Sequence, residues 1–441
     1  MTKGTYITRL LEAELIDFIS NQQEPFNTIL LGGPRQCGKS TMLKHLFPPD
    51  RHIHINLAEE SAFCDAIDTT QCFDDLTVLI ESRYHTKIGS GRIIIFDEAQ
   101  LSHKLGNYVR FFKENWKTQT VIITGSTLSN LFTHTEKPTG RVVEFVLRPF
   151  NFSEFLDALG QDSLRERLKN WTPEKPFSDT VHRELVTQLQ SYLVVGGLPD
   201  VVLTYSRQGN HTKLLADIFA FYKRDFQSKL SSENLTSIFS QVFARIAAST
   251  GSEIKLSSII ASSSPGYRKL RDVLTIMEMW HQIIRVDYET YQLTKFGTTT
   301  PKRYLFDQGI RYLLNPSRFV GLDLLDSAHP KREEIGGLLE NFVLTELIST
   351  NSPFAIRSWA KTHQSGMVDF LYNTEKDAFA IEVKAALSLD RKHFSALLSY
   401  HEVYPNTHLI LVNLDKGGVY QTKEGATITS VPAYAICRAL I

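Results

Sequence analysis

Cysteine is scarce and unpatterned in this chain. The four that occur in 441 residues, Cys37, Cys64, Cys72 and Cys437, form no C-x-x-C pair and no metal-ligand spacing. That excludes a disulfide framework and fits reduced cytosolic thiols. Net charge is missing as well: 48 basic and 48 acidic residues cancel. No overall field draws the protein to nucleic acid or to a membrane surface, so any nucleic-acid contact has to be a local patch. No apolar run approaches the ~20 residues that span a bilayer. The stretch "MTKGTYITRLLEAELIDFIS" lacks an apolar core and carries acids, which argues against a secretory signal. Internal repeats and low-complexity tracts are also lacking. These absences predict a cytoplasmic protein without membrane partners. What is present, 42% hydrophobic and 22% charged residues, suits soluble globular domains, and the length suits two to four of them.

Strand patterns recur early. "TILLGG" (28–33), "IHINL", "GRIIIFDEAQ" (91–100), "TVIITGS" (120–126) and "RVVEFVL" (141–147) are short apolar runs. Helical stretches such as "STMLKHLF" and "LGNYVRFFKENW" lie between several of them, and residues 5–20 read as an amphipathic helix. Strands alternating with helices predict an open, mostly parallel α/β sheet. After Pro149 the pattern turns predominantly helical to about residue 235, interrupted by "VVGGLPD". Residues 236–330 hold helices followed by "WHQIIRVDYETYQLT" and "KRYLFDQG", a hairpin-like pair that suggests a winged helix-turn-helix. From 336 the order is helix, three strands, helix, strand.

"GPRQCGKS", Gly33 to Ser40, matches G-x-x-x-x-G-K-[ST] with a strand before it and a helix after it. Backbone N–H groups of the loop and the following helix start would surround phosphates, within a binding segment Gly33, Pro34, Arg35, Gln36, Cys37, Gly38, Lys39, Ser40 and Thr41. Lys39 would reach the β- and γ-phosphates of ATP, and Ser40 would ligate Mg²⁺. "RIIIFDE" delivers Asp97 to the carboxyl edge of the sheet, where it would hold the Mg²⁺ shell; Glu98 is placed to polarise the attacking water. Thr124 and Ser126 end the next strand, and Ser126 is the better candidate to sense the γ-phosphate. Arg141 could act in trans as an arginine finger in a homo-oligomer, or be a solvated strand-edge charge.

The motifs "GPRQCGKST", "IIIFDEAQ", "ITGST", "GRVVEFVLRPFNFSEFL" and "VVGGLPDVV" follow one another in an order that resembles a large group of prokaryotic AAA-type ATPases, close to the archaeal ATPase and STAND branches. Members of that group carry a C-terminal domain related to restriction endonucleases, which "GGLLENFVLTEL" and "VDF…IEVK" resemble. The resemblance implies that Gly197 and Pro199 sit against the nucleotide from a helical lid; read alone, "GGLP" is only a loop. Met367 departs from the group's pattern, where a glutamate is frequent before Val-Asp. The expected organisation is a P-loop ASCE/AAA-type ATPase core (1–150), a helical lid (151–235), a winged-helix-like domain (236–330) and a PD-(D/E)xK nuclease-like α/β domain (331–441).

In "DAFAIEVKAAL" (377–387), period-two alternation puts Glu382 and Lys384 on one strand face. A hairpin with "GMVD" would bring Asp369 beside Glu382. Converging carboxylates repel unless a cation lies between them, and Mg²⁺ takes such ligands. Lys384 would steady a metal-bound water or developing phosphorane charge. Glu340, at the margin of a helix face formed by Leu339, Phe342, Val343 and Leu347, is a further candidate acid. The plainer reading is an ion pair on a strand. "GYRKLRDVL" places Tyr267, Arg268, Lys269 and Arg271 on a helix that could meet DNA phosphates, although a charged helix is more often a solvated face. Two functions remain open from these residues: an ATPase governing a DNA-directed domain that could cleave, and a nucleotide-gated switch whose nuclease-like domain only binds a partner.

Overall fold

The alternation of apolar strands and helices in the first 150 residues folds, in the computed structural model of the chain, into a five-stranded sheet. The structure describes residues 6–132, 135–230, 233–249, 251, 253–264, 266–290, 300–327, 332–349, 354–362, 365–423 and 425–440. The strands are β1 (Thr28–Gly32), β2 (His52–Asn56), β3 (Ile93–Asp97), β4 (Val121–Thr124) and β5 (Val142–Val146). Their spatial order is β2-β3-β4-β1-β5, every neighbouring pair parallel. β4 thus separates the strand that enters the glycine-rich loop from the strand that ends in Asp97. Parallel strands need both faces covered. On one face Leu30, Ile53, Ile55, Ile94, Phe96, Val121 and Ile123 pack with Phe73, Phe112 and Trp116. The helix Leu105–Asn115 supplies Phe112, which stacks on Phe96 at 6.0 Å between ring centroids.

Two compact units emerge: residues 8–148 together with Met279–His281, and residues 149–278 with 282–441. The second unit begins with helices, among them Asp179–Val195, Pro199–Ser206, Glu233–Ala248 and Tyr267–Met279. It continues into an eight-stranded sheet made by β6 (Ile283–Thr290), β7 (Lys302–Leu305), β8 (Arg357–Thr362), β9 (Ser365–Asn373), β10 (Ala378–Val383), β11 (His408–Asn413), β12 (Gly418–Gln421) and β13 (Thr427–Pro432). The order is β12-β13-β11-β10-β9-β8-β6-β7. β8, β9 and β10 form an antiparallel meander, and β11 returns parallel to β10 after a helix, Ser395–His401. β6 and β7 pair antiparallel as the hairpin-like pattern predicts, over Ile283–Val286 and Lys302–Leu305; residues 291–299 of that segment lie outside the described residues. β6 also runs parallel to β8, from Asp287↔Arg357 to Thr290↔Ala360. The sheet therefore continues across the boundary expected near residue 330, because β6 is longer than its hairpin partner and its free half finds a second edge.

Candidate functional site

The site begins at the carboxyl end of β1. Gly33 takes φ +132° and packs so closely on the chain after β5 that a Cβ would lie 2.1 Å from the Leu147 carbonyl oxygen. Gly38, at φ +86°, caps the helix Lys39–Leu46. Both positive φ values favour glycine, and at Gly33 the close approach of Leu147 also leaves no room for a Cβ. Arg9 anchors the loop from outside: its guanidinium donates to the carbonyls of Cys37 at 2.8 Å and Arg148 at 2.6 Å. Lys39 Nζ donates to the carbonyls of Gly33 and Pro34, both at 2.9 Å, and so spans the mouth of the loop. Burial lowers the Lys39 ammonium from its ordinary range, while Cys37, Glu98 and Asp97 oppose that shift.

Asp97, buried at the end of β3, meets the loop directly. Ser40 Oγ donates to its Oδ2 at 2.6 Å, the Glu98 amide donates to its Oδ1 at 3.0 Å, and His54 Nε2 lies 3.2 Å from Oδ2. Burial alone would raise this carboxyl, but the hydrogen bonds from His54 and Ser40 outweigh it and hold it below its ordinary value. A serine hydroxyl and a carboxylate within one hydrogen bond, at a helix start, are the donor set for a hard, oxygen-ligated cation, so these residues fit Mg²⁺ beside a phosphate.

Glu98 sits at φ +51°, an uncommon conformation that costs a non-glycine residue about 1 kcal/mol. Its carboxylate accepts a 2.5 Å hydrogen bond from Gln100 Nε2. Gln100 in turn needs Gly125, because a Cβ there would lie 2.0 Å from Gln100 Oε1. At the end of β4 the two hydroxyls separate. Thr124 Oγ1 donates to the Leu31 carbonyl at 3.0 Å, whereas Ser126 Oγ is buried with no hydrogen-bond partner among the described residues. Two further basic side chains lie near the loop, Arg148 and His281, the second held neutral. Burial brings the Arg148 guanidinium down to about 10, and His281 falls to about 3 through burial and the nearby Arg148 and Lys39 charges. A Cβ on Gly32 would meet His281 Nε2 at 3.3 Å.

Gln36 (φ +64°) and Thr41 lie on the exposed side of the loop, Cys37 is buried, and Arg35 is half-buried. Arg141 stands at the amino end of β5 beside Thr28, at the opposite edge of the sheet from the loop, roughly 15 Å away along a five-residue strand. It pairs with Glu114 at 2.6 Å on the surface. Gly197 and Pro199 belong to the second unit. The Gly197 amide donates to Asp307 Oδ2 at 2.8 Å, its carbonyl accepts from the Phe150 amide at 2.7 Å, and Pro199 opens the helix Pro199–Ser206.

The second cluster also lies in that unit. The β9/β10 hairpin pairs Phe370 with Ile381 and so sets Asp369 next to Glu382. Asp369 Oδ2 accepts from the Val383 amide at 3.0 Å, and Lys384 Nζ lies 2.5 Å from Glu382 Oε1. Glu340 arrives from the helix Arg332–Leu347. Lys302, on β7, inserts its ammonium between Glu340 Oε1 at 2.8 Å and Asp369 Oδ1 at 3.0 Å, and Tyr304 donates to the same Glu340 oxygen at 2.5 Å. Burial raises the carboxyls of Glu340 to about 7 and of Glu382 to about 8, with Asp369 adding to each. Among the described residues, no group of three or more His, Cys, Asp or Glu side chains is arranged to hold a metal ion.

Sequence reasoning missed His54, Gln100, Arg148 and Lys302 as members of these clusters. His54 was findable: strand alternation in "IHIN" puts His54 and Asn56 on one face, next to the strand that carries Asp97. Lys302 and Tyr304 share a face of "KRYL" in the same way, and all four residues of that strand are buried. A buried lysine requires a partner.

A cleft of about 530 Å³ in the second unit is lined by Lys255, Tyr267, Arg271, Arg285 and Arg303 among others. Arg268, Lys269 and Arg271 are exposed on the helix Tyr267–Met279. Among the described residues, no helix is long and apolar enough to cross a membrane.

Residues 25–156 match the model of an AAA domain. Residues 186–319 and 335–434 match two domains of unknown function, DUF8612 and DUF4143. Uncharacterized protein MJ1544 of Methanocaldococcus jannaschii is 26% identical over 242 residues, 54% of this chain and 48% of that protein, so the chain spans about half the length of the relative. Similar solved structures include the Aeropyrum pernix ORC1 protein in complex with DNA (14% identity, 73% of this chain and 96% of that one, TM-score 0.28). AMPPCP-bound DnaA from Aquifex aeolicus aligns at 14% identity over 63% and 92%, with a TM-score of 0.26. A Signal Transduction ATPase with Numerous Domains protein from Pyrococcus horikoshii, with a tetratricopeptide repeat sensor, aligns at 16% identity over 78% and 47%, with a TM-score of 0.29. The family-model match marks residues 25–156 as an AAA domain, and the G-x-x-x-x-G-K-S loop lies within that stretch.

Proposed function

We propose that the chain binds ATP at Gly33–Thr41 and hydrolyses it, and that the nucleotide cycle governs a DNA-directed C-terminal domain. The observation that carries the first half is the 2.6 Å contact between Ser40 and Asp97, with Glu98 next along the chain. Backbone amides of the loop and the helix start bind the phosphates. Lys39 exchanges its two carbonyl partners for phosphate oxygens. Mg²⁺, held through Ser40 and Asp97, would neutralise charge on the β- and γ-phosphates. Glu98 accepts a proton from the attacking water once it leaves Gln100, and Ser126 donates its unpaired hydroxyl to the γ-phosphate.

The DNA-directed half rests on the exposed Arg268, Lys269 and Arg271 and on the basic cleft beside them, which suit phosphate contacts from a winged-helix-like domain. A second reading is favoured by the ammonium of Lys302 between Glu340 and Asp369: the nuclease-like domain binds a partner without cutting, and ATP gates assembly. A cytoplasmic location agrees with four unbridged cysteines. Plasmid and branched DNA incubated with ATP and Mg²⁺ decides between the readings. Cleavage that Asp369→Ala abolishes supports a nuclease; intact DNA with ATP-dependent oligomerisation supports the switch.

A further inference from the structure

The nuclease-like sheet brings three carboxylates together, and the cation among them belongs to the chain itself. The Lys302 ammonium satisfies Glu340 Oε1 and Asp369 Oδ1, the two oxygens a shared metal would take. The remaining oxygens are largely committed. Asp369 Oδ2 accepts from the Val383 amide, and Glu382 Oε1 pairs with Lys384. Glu340 Oε2 lies against Gly251, where a Cβ would be 1.5 Å away, so the side chain is boxed in from that side. Within this carboxylate cluster, Glu382 Oε2 is buried without a hydrogen-bond partner among the described residues. One oxygen does not hold a divalent ion, and a metal entering beside an ammonium meets like-charge repulsion in a poorly solvated site. The residues as arranged do not fit the metal that the fold resemblance implies.

We propose that Lys302 is the resident cation of this cluster, holding Glu340 and Asp369 together and excluding divalent metal from the C-terminal domain. Charge agrees with this. Glu340, Asp369 and Glu382 with Lys302 and Lys384 carry a formal charge of −1; without Lys302 the cluster carries −2, the complement of a divalent ion. Lys302 reaches the cluster from β7, a different segment from the helix and hairpin that carry the acids, so it also ties β7 to both.

The test is Mn²⁺ uptake by the full chain without nucleotide, read by electron paramagnetic resonance and compared with Asp369→Asn. The wild-type chain is expected to take up no Mn²⁺ that Asp369→Asn removes. Lys302→Met is expected to gain one Mn²⁺, bound at least about 10-fold more tightly than any wild-type uptake, and to lose it again when Asp369→Asn is added. Asp369-dependent Mn²⁺ on the wild-type chain overturns the proposal, as does a folded Lys302→Met that binds none. Should Lys302→Met fail to fold, Glu340→Gln tests the same contact: a lowered melting temperature without Mn²⁺ uptake supports the proposal, and an unchanged one overturns it. ATP binding at the first site, measured in parallel, does not enter either outcome.

Discussion

Ser40 Oγ donates to Asp97 Oδ2 at 2.6 Å, joining two residues 57 positions apart. The bond ties the first turn of the helix after the loop to the end of β3, and it exists because β3, β4 and β1 run parallel, so that the ends of β3 and β1 emerge at the same edge of the sheet with β4 between them.

Lys39→Ala should weaken ATP binding by roughly 10- to 100-fold or more, the scale of losing hydrogen bonds to a charged group. Isothermal titration with Mg²⁺ and a non-hydrolysable ATP analogue measures it. Unchanged affinity would remove the nucleotide site from this loop.

Glu98→Gln should leave ATP affinity near wild type and slow turnover about 10²- to 10⁴-fold. Gln100→Ala should release the Glu98 carboxylate from its 2.5 Å partner and change kcat without changing nucleotide affinity. A Glu98→Gln variant that turns over at the normal rate shows that another group polarises the water.

Arg141→Ala should lower turnover only if a neighbouring copy uses the guanidinium, because its own loop is at the far edge of the sheet. Mixing Arg141→Ala with Lys39→Ala should then restore part of the activity. Equal inactivity at every ratio identifies Arg141 as the surface partner of Glu114 and no more.

Glu346 offers a pH test. Burial raises its carboxyl from the ordinary 4.5 to about 7, although the Phe152 amide and Cys437 thiol donate to it. Between these values the folded chain holds a proton that the unfolded chain releases. The group's stabilising contribution is therefore complete below about 4.5 and is lost as pH rises through about 7. Glu346→Gln should flatten the fall in melting temperature between pH 5.5 and 8.5 by about a few degrees. A slope identical to wild type would show that Glu346 is not the titrating group.

The strands of the first unit were legible because each is a short apolar run bounded by turn residues, and the loop because its glycines and lysine have few other uses at that spacing. Asp97 and Glu98 followed from strand length alone. Arg148 and Gln100 were not legible, since their significance comes from close approach: Gly125 leaves space for Gln100, and Arg148 stands near Cys37. In the C-terminal domain, alternation gave Glu382 and Lys384 a common face and the hairpin brought Asp369 to them. Lys302 escaped because a lysine in a hairpin-like segment reads as solvated until β6 is known to pair with β8. That pairing depends on residues more than 60 positions apart and leaves no local mark.

The shared edge between β6 and β8 bears on how the chain can be divided. A fragment starting near residue 331 would strip β8 of its neighbour and of Lys302 together. It would expose a bare row of amides and carbonyls ready to pair with another molecule, above three clustered acids with one ammonium fewer. Truncation there is expected to give sticky, aggregating material, whereas a cut that keeps β6 and β7 with the rest preserves both the edge and its charge.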